Sequence, residues 1–400
     1  MDAPSEPRAR VRLPAKRHGW WSIPMVAVAF ATCAAIGVAG LVPAELVAEE
    51  ENTRIGEIQP TPYARVPSSA QPVDDRVTFG ELEGFAEQYP PSGNFYFVTV
   101  TEPSQTILSW LVGRDEPAVE FLTDEEKFGF QTPQQRRTFG LESMRTSEQV
   151  AQYVALKAVG YDVTIVPGDV LIGQMVCLVA NDEGTECVES SPSDEVLDPG
   201  DRLLEVDGIP LGNVSDLSDA LVDKQPGDRV EITLERPEAG ELTVTVELTA
   251  SPEEPERTIV GFIPFDTQRV ELPFELDIDT GRIGGPSAGL AFTLTLIDEL
   301  TPGELTGDQN IAVTGTIELD GSVGAIGGLR QKASAVAQAG VDVFIVPESQ
   351  GEEDIARAER AGGDGLRIIP VASVDEALAV LEELGGEPID AVPIATNGQP

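Results

Sequence analysis

The chain has 400 residues, of which 69 are Asp or Glu and 26 are Lys or Arg, giving a formal net charge of −43. This length allows two or three domains, and an apolar fraction of 41% allows each to form an ordinary core. A nucleic-acid partner is excluded, because phosphate binding needs clustered Lys and Arg side chains. We expect most of the acidic residues to form a solvated surface.

An uncharged and mostly apolar stretch, WWSIPMVAVAFATCAAIGVAGLV, occupies residues 20–42. A helix of this length spans a hydrocarbon core of about 30 Å, so we predict a single-pass anchor in the cell membrane. Lys and Arg before the stretch and Glu after it predict a cytoplasmic N-terminus, residues 1–19, and extracytoplasmic C-terminal domains. A cleaved signal peptide is the alternative, but its apolar region is usually only about 7–15 residues long.

The predicted topology determines how the three cysteines are interpreted. Cys33 lies inside the predicted anchor and is expected to be a small apolar residue. Cys177 and Cys187 lie outside, where disulfides persist, and they flank the polar sequence LVANDEGTE, which is typical of a hairpin tip. We predict that these two cysteines form a disulfide that closes the hairpin.

The next segments contain no chemical motif. Residues 43–75, rich in Pro, Ser and acidic residues, are predicted to be a linker, followed by a membrane-proximal region at 76–160. That region contains a strand pattern at 94–100 and a helical pattern at 146–160, for which Thr146 and Gln149 predict the N-terminal cap.

Residues 161–255 have a β-rich pattern. The turn Pro199-Gly200-Asp201 leads into the strand RLLEVDG, a capped helix follows at VSDLSDALV, and two alternating strands meet at a short turn. This run resembles a PDZ domain, and the resemblance implies that an extended peptide or protein substrate binds by strand addition. It places the carboxylate-binding loop near residues 168–173. The alternative is a β-rich spacer with no ligand.

Residues 256–386 alternate helices and short buried strands, which predicts an α/β domain, and residues 387–400 are predicted to be a frayed tail. The whole chain is therefore expected to be a multidomain protein of the α+β and α/β classes. Within this last domain, GPSAG matches the G-x-S-x-G frame that holds a nucleophilic serine, here Ser287. We expect Ser287 at the amino end of a helix, where the backbone around Gly285, Pro286 and Ala288 offers unpaired N–H groups to an oxyanion.

The base for Ser287 follows by elimination. The single histidine, His18, is predicted on the other side of the membrane, and arginine stays protonated. A lysine can act if burial lowers its pKa. The chain has five lysines among its 26 basic residues, and Lys332 is the one in the C-terminal domain.

The segments around the serine and the lysine, GPSAGLA and AVTGTIELDGSVGAIGGLRQKASAVAQAG, resemble the proteolytic domain of Lon-type peptidases. The order of anchor, PDZ domain and this domain resembles the bacterial membrane-anchored PDZ–Lon proteins. The resemblance implies that Ser287 is the nucleophile, Lys332 the general base and Thr314 the residue that orients the lysine amine. One departure is Gly284, since better-known members have an acidic residue three positions before the serine.

The sequence therefore predicts a membrane-anchored serine endopeptidase that works without ATP, metal or another cofactor. No G-x-x-x-x-G-K-[ST] loop of an ATPase occurs in it. Three alternatives stay open: a catalytically inactive, membrane-tethered PDZ scaffold, an α/β domain that binds a phosphorylated ligand, and an enzyme that processes only itself. Association into a homo-oligomer is also left open.

Overall fold

A computed structural model describes residues 22–51, 58–82, 87–129, 131–181, 187–236, 239–252 and 254–389. Its α-helices are α1 Ser22–Ala39, α2 Ile107–Gly113, α3 Asp124–Phe128, α4 Pro133–Ala158, α5 Val214–Leu221, α6 Gly289–Leu300, α7 Leu329–Gln338, α8 Glu352–Gly362 and α9 Val374–Glu383.

The strands follow the same chain order. They are β1 Glu49–Glu51, β2 Ile58–Pro60, β3 Tyr63–Pro72, β4 Val77–Phe79, β5 Asn94–Thr101, β6 Glu120–Leu122, β7 Thr164–Met175, β8 Cys177–Ala180, β9 Cys187–Ser190, β10 Arg202–Val206, β11 Ile209–Pro210, β12 Arg229–Arg236, β13 Gly240–Glu247, β14 Thr249–Ala250, β15 Thr258–Ile259, β16 Phe262–Glu271, β17 Leu276–Ile278, β18 Asn310–Val313, β19 Thr316–Ile317, β20 Val323–Gly324, β21 Val343–Pro347 and β22 Arg367–Val371.

The central sheet has the order β22-β21-β18-β5-β3-β6, with β22, β21, β18 and β5 parallel and β3 and β6 antiparallel to their neighbours. Successive strand residues point to opposite faces. On β21, Val343 and Ile345 pack with α4, α6 and α9, whereas Phe344 and Val346 pack with α7 and α8. Helices thus cover both faces of the sheet, as is usual for sheets of parallel strands, and the predicted α/β character of the C-terminal region is confirmed.

Two distant parts of the chain build this α/β domain, which we define as residues 44–167 and 267–389. Strands β3 and β5 belong to the same sheet as the C-terminal strands. The predictions of a linker over 43–75 and of a separate membrane-proximal region over 76–160 are therefore wrong. Patterns within one segment do not reveal which distant segment pairs with it. The sequence therefore did not show that residues 44–167 belong to the α/β domain.

The inserted domain, residues 168–266, contains a sheet of order β13-β12-β10-β7-β16 with α5 packed against it. Its strand, turn and helix succession matches the predicted PDZ pattern. Strands β7 and β16 pair along their length and join the two domains, since Val170 and Phe262 lie in the insert's core and Val270 lies in the core of the α/β domain. At the junction, a Cβ on Gly168 would lie 2.3 Å from Thr267 Oγ1, so only glycine allows the two strands to approach there.

The disulfide between Cys177 and Cys187 is present, with their Cα atoms 5.6 Å apart, and it links β8 to β9. This confirms the predicted pairing; residues 182–186 of the hairpin tip lie outside the described residues. Cys33 is a free cysteine on α1.

The predicted membrane helix is not supported. Over the residues that the structure describes, no helix is long and apolar enough to cross a membrane. Helix α1 covers Ser22–Ala39 of the predicted span, and residues 1–21 and 390–400, which include the predicted cytoplasmic N-terminus and most of the predicted tail, lie outside the described residues.

The helical pattern at 146–160 is the second half of a longer helix. Helix α4 begins at Pro133 and is capped by Thr132 and Gln135, which exchange side-chain and backbone hydrogen bonds. The predicted cap at Thr146 is therefore wrong. The same Thr-x-x-Gln spacing occurs at both places, but the proline at the first helical position favours the earlier start.

Candidate active site

Ser287 lies in the turn that leads into α6. The turn is closed by the N–H of Gly289, which donates to the carbonyl of Pro286 at 3.2 Å. Two groups from the segment after β18 hold the backbone of Ser287: the N–H of Gly315 donates to its carbonyl at 2.9 Å, and Thr314 Oγ1 donates to the same oxygen at 3.0 Å. The serine is thereby fixed against the end of a buried strand.

Lys332 comes from α7 on the other side of this strand end. Its side chain is 2% exposed, and its Nζ lies 2.6 Å from Ser287 Oγ and 2.9 Å from Thr314 Oγ1. The structure therefore brings together the three residues that the sequence singled out. Thr314 accepts from the amine and donates to the backbone of the serine, so it fixes both partners.

Burial governs the protonation of this amine. Removal from water disfavours the charged form of Lys332 and lowers its pKa to about 7. In the described part of the chain no carboxylate forms an ion pair with it. A large fraction of the amine is therefore neutral near pH 7, with a lone pair available to accept the hydroxyl proton of Ser287.

The structure leaves fewer backbone N–H groups free to bind an oxyanion than the sequence predicted. Gly285 already donates its N–H to the carbonyl of Gly140 at 2.7 Å, and Pro286 has no N–H. Ala288 is the predicted donor that stays available, because its N–H makes no hydrogen bond with any described residue. Ser287 itself lies two residues before the first residue of α6, not within its first turn.

Helix α4 forms the wall behind the serine, a role that the sequence analysis missed. Ser147 Oγ donates to the carbonyl of Pro286 at 2.9 Å, and Gly140 accepts from Gly285. A Cβ on Gly284 would lie 3.0 Å from the carbonyl carbon of Gly140, so a side chain there would crowd the helix backbone and glycine fits best. The small residues Gly140, Ser143 and Ser147, on one face of the helix, were the available signal.

The insert has a second candidate site, a groove between α5 and β16. A cavity of about 330 Å³ separates them, lined by Leu217 and Leu221 of α5 and by Val260 and Phe262 opposite. Strand β16 is at the edge of its sheet and pairs with β7 on its inner side. Residues 168–173 form part of β7, which is paired on both sides, so the predicted carboxylate-binding position there is wrong.

No metal centre accompanies either site. Across the described ranges, no three His, Cys, Asp or Glu side chains lie close enough together to hold a metal ion. At Ser287 the structure places a hydroxyl beside a buried amine.

Two family models match the chain. Residues 279–383 match the Lon protease (S16) C-terminal proteolytic domain, and residues 172–248 match the PDZ domain. The chain thus joins a PDZ domain to the proteolytic domain of a Lon-type serine peptidase, which confirms both resemblances. The Lon model covers only the second of the two stretches that build the α/β domain.

Curated relatives agree with this assignment. The Lon protease of Desulfatibacillum aliphaticivorans is 33% identical over 134 residues, covering 31% of this chain and 16% of that protein. The Lon protease of Clostridium acetobutylicum is 42% identical over 77 residues, covering 19% of this chain and 10% of that protein. The chain therefore spans less than a fifth of the length of these relatives. The PDZ domain of an SdrC-like protein from Listeria monocytogenes is 21% identical, covering 23% of this chain and 86% of that domain, with a TM-score of 0.17.

Proposed function

We propose that this chain is a serine endopeptidase in which Ser287 is the nucleophile, Lys332 the general base and Thr314 the residue that orients the amine. The observation that supports this most directly is the 2.6 Å separation between Lys332 Nζ and Ser287 Oγ in a buried site. An amine without a counter-charge and beside a hydroxyl has the arrangement that nucleophilic catalysis requires.

The reaction is acyl transfer. Neutral Lys332 takes the proton of Ser287 Oγ as this oxygen bonds to the carbonyl carbon of the scissile peptide. The N–H of Ala288 donates to the resulting oxyanion, a contribution worth about 3 kcal/mol per donor in comparable sites. The C–N bond then breaks and the leaving amine takes the proton from Lys332. A water molecule, deprotonated by the same amine, hydrolyses the acyl-enzyme and restores Ser287.

An active-site probe tests this proposal. A fluorophosphonate should label the wild-type protein at Ser287, while Ser287→Ala should show only background labelling. Lys332→Arg should also stay near background, because arginine cannot accept the proton at neutral pH. Equal labelling of Ser287→Ala and wild type would instead favour a PDZ scaffold whose α/β domain is inactive.

The PDZ domain supplies substrates in this proposal. A peptide can add as a further strand to the outer edge of β16, with its apolar side chains against Leu217 and Leu221 of α5. Val214 at the start of α5 donates its N–H to Asp266 at 2.7 Å, which closes one end of this groove. Peptides bound here would lie on the strand that continues into the α/β domain.

Cleavage is proposed to proceed without ATP, so its substrates are peptides or unfolded segments. The absence of an ATPase phosphate-binding loop from the sequence supports this. Degradation of an unfolded protein at the same rate with and without ATP is the expected result. A strict requirement for ATP would contradict it.

We also propose that the N-terminal stretch attaches the protein to the cell membrane with both domains outside the cytoplasm. The charge difference across residues 20–42 and the disulfide between Cys177 and Cys187 support this location. Fractionation of cells should recover the full chain in membranes that resist carbonate extraction, and external protease should reach its C-terminal domains in spheroplasts. Recovery in the cytosolic fraction would contradict the proposal.

A further inference from the structure

Helix α1 exposes large apolar side chains along its length. Val28, Phe30, Ile36 and Val38 are between 50% and 77% exposed, and every residue from 28 to 38 is exposed to solvent in the structure. A helix that is hydrophobic all round is normally buried in a protein core or in lipid. Because the described part of the chain does not bury residues 28–38, their cover must come from outside the chain.

The apolar surface continues past the end of α1. Five exposed side chains lie there, and together we call them the α1–α2 surface: Leu41, Leu46, Val47, Leu111 and Val112. The last two belong to α2, which packs against the end of α1 and against the short helical turn Ala44–Leu46. Single exposed apolar residues are common, but a group of them on neighbouring segments marks an interaction surface.

Backbone hydrogen bonds hold these segments together. The N–H of Ile107, the first residue of α2, donates to the carbonyl of Val42 at 3.0 Å, and the N–H of Ala44 donates to the carbonyl of Gln105 at 2.9 Å. Gln105 in turn donates its N–H to the carbonyl of Pro62, just before β3, at 2.7 Å. The α1–α2 surface is therefore attached to the central sheet of the α/β domain.

The composition of α2 suits the boundary between lipid and water. Residues 106–113 carry no charge, and they include Trp110, which is partly exposed. A tryptophan ring is apolar with one polar N–H, so it favours the interfacial region of a bilayer. The charges nearby are mostly acidic, as at Glu45, Glu49 and Asp115. Binding would therefore depend on apolar burial and not on attraction to anionic lipids.

We propose that the α1–α2 surface inserts into the outer leaflet of the membrane, with α2 lying in the plane of the interface. This inference rests on the membrane attachment proposed above. The attached stretch, residues 20–42, ends at Val42, whose carbonyl accepts from α2, so α2 lies at the depth where that stretch leaves the lipid. The occupant is the acyl chain and glycerol region of the bilayer. This second contact holds the α/β domain at a fixed height above the membrane.

Fluorescence of Trp110 tests the inference with the full-length protein in phosphatidylcholine vesicles. The chain has three tryptophans, so Trp20→Phe with Trp21→Phe leaves Trp110 as the single emitter. A nitroxide near the headgroup end of the acyl chain should quench its emission at least roughly twofold, as expected for a side chain about 5–10 Å deep. A nitroxide near the end of the acyl chain should quench it less.

Two pairs of substitutions in this background show whether the surface itself inserts. Leu111→Asp with Val112→Asp should restore most of the emission, because carboxylates oppose entry into lipid. Ile209→Asp with Val222→Asp is the matched control, since both side chains are at least as exposed but lie on the insert. This control pair should leave the quenching unchanged.

Carbonate extraction of the same vesicles separates the inference from the membrane attachment. Protein that resists extraction but shows no quenching of Trp110 would overturn the inference and leave the attachment intact, as would occur if another protein covered the surface. Equal quenching with and without the aspartates at Leu111 and Val112 would also overturn it. Release of the starting protein from the vesicles would defeat the proposed attachment itself.

Discussion

The two ends of α6 each have buried ionisable groups without a counter-charge. Near the amino end, beside Ser287, the side chain of Lys332 is 2% exposed; at the carboxyl end, Asp298 and Glu299 are 1% and 3% exposed. Within the described residues, none of the three forms an ion pair. Desolvation therefore acts on all of them in the same way and favours the neutral form.

Burial shifts the pKa of the amine and the pKa values of the two carboxyls in opposite directions, toward the same value. Burial lowers the pKa of Lys332 to about 7 and raises the pKa values of Asp298 and Glu299 to about 7. Desolvation is the largest cause at both ends, and nearby carboxylates raise the pKa values of Asp298 and Glu299 further. What differs is the neighbour: a hydroxyl lies 2.6 Å from the amine, whereas Asp298 Oδ2 and Glu299 Oε1 lack a hydrogen-bond partner among the described residues. Burial thus shifts the pKa of an ionisable group at each end of α6. Only at the amino end does that group lie beside a hydroxyl that can act as a nucleophile.

Substitutions at the amino end should have the largest effect. Ser287→Ala and Lys332→Arg are each expected to lower kcat/KM for peptide cleavage by at least about 10³-fold, since one removes the nucleophile and the other the base. Lys224→Arg is the control, because Lys224 is a partly exposed lysine paired with Asp207 in the insert. Substantial cleavage by Lys332→Arg would exclude Lys332 as the base.

The pH dependence of cleavage should follow the amine. Because the neutral form is the base, kcat/KM is expected to rise about tenfold per pH unit below 7 and to level off above it. Initial rates on one peptide between pH 5 and 9 measure this. A rate that falls as pH rises through 7 would contradict a lysine base.

The buried groups at the two ends of α6 should lower the stability of the protein over different pH ranges. Lys332 has a folded pKa below its unfolded value of 10.5, so its burial costs most below pH 7 and the cost fades as pH rises toward 10.5. Asp298 has a folded pKa above its unfolded value of 3.8, so its cost is absent below that value and complete above pH 7.

Denaturation of Lys332→Met and Asp298→Asn measures these windows. Lys332→Met should raise the free energy of unfolding by about 1–3 kcal/mol at pH 6, and Asp298→Asn by a similar amount at pH 8. The gain in the free energy of unfolding from Lys332→Met should be smaller at pH 8 than at pH 6. The gain from Asp298→Asn should be smaller at pH 6 than at pH 8. Glu383→Gln, at an exposed carboxyl, should change little at either pH. Gains that do not vary with pH would show that packing, not ionisation, dominates at these positions.

Removal of the disulfide, which is distant from both ends of α6, should have the smallest effect. The disulfide closes a hairpin between residues ten positions apart, for which chain entropy predicts at most about 3 kcal/mol of stabilisation. Cys177→Ser with Cys187→Ser should therefore lower stability moderately and leave cleavage of short peptides unchanged. A loss of labelling at Ser287 in this variant would reveal an unexpected coupling between the hairpin and the active site.

The sequence by itself determined the local elements and the chemistry. The apolar periodicity and turn residues of the C-terminal region predicted α6 to α9 with β21 and β22, because those signals lie within one segment. The choice of Ser287 and Lys332 followed from residue chemistry, since few side chains can serve as a nucleophile or take its proton. The pairing of Cys177 with Cys187 followed from their short separation.

Only the tertiary structure decided how distant segments combine. Strands β3 and β5 complete the catalytic sheet, α4 closes the space at Gly284, and β16 is the edge strand of the PDZ domain while also lining a cavity beside Ser287. Each of these depends on contacts between separate segments, such as Gly140 with Gly285 or β5 with β18, whose pairing leaves no periodic signal in either one. The pKa of Lys332 is of the same kind, because it depends on how completely the folded chain excludes water from one amine.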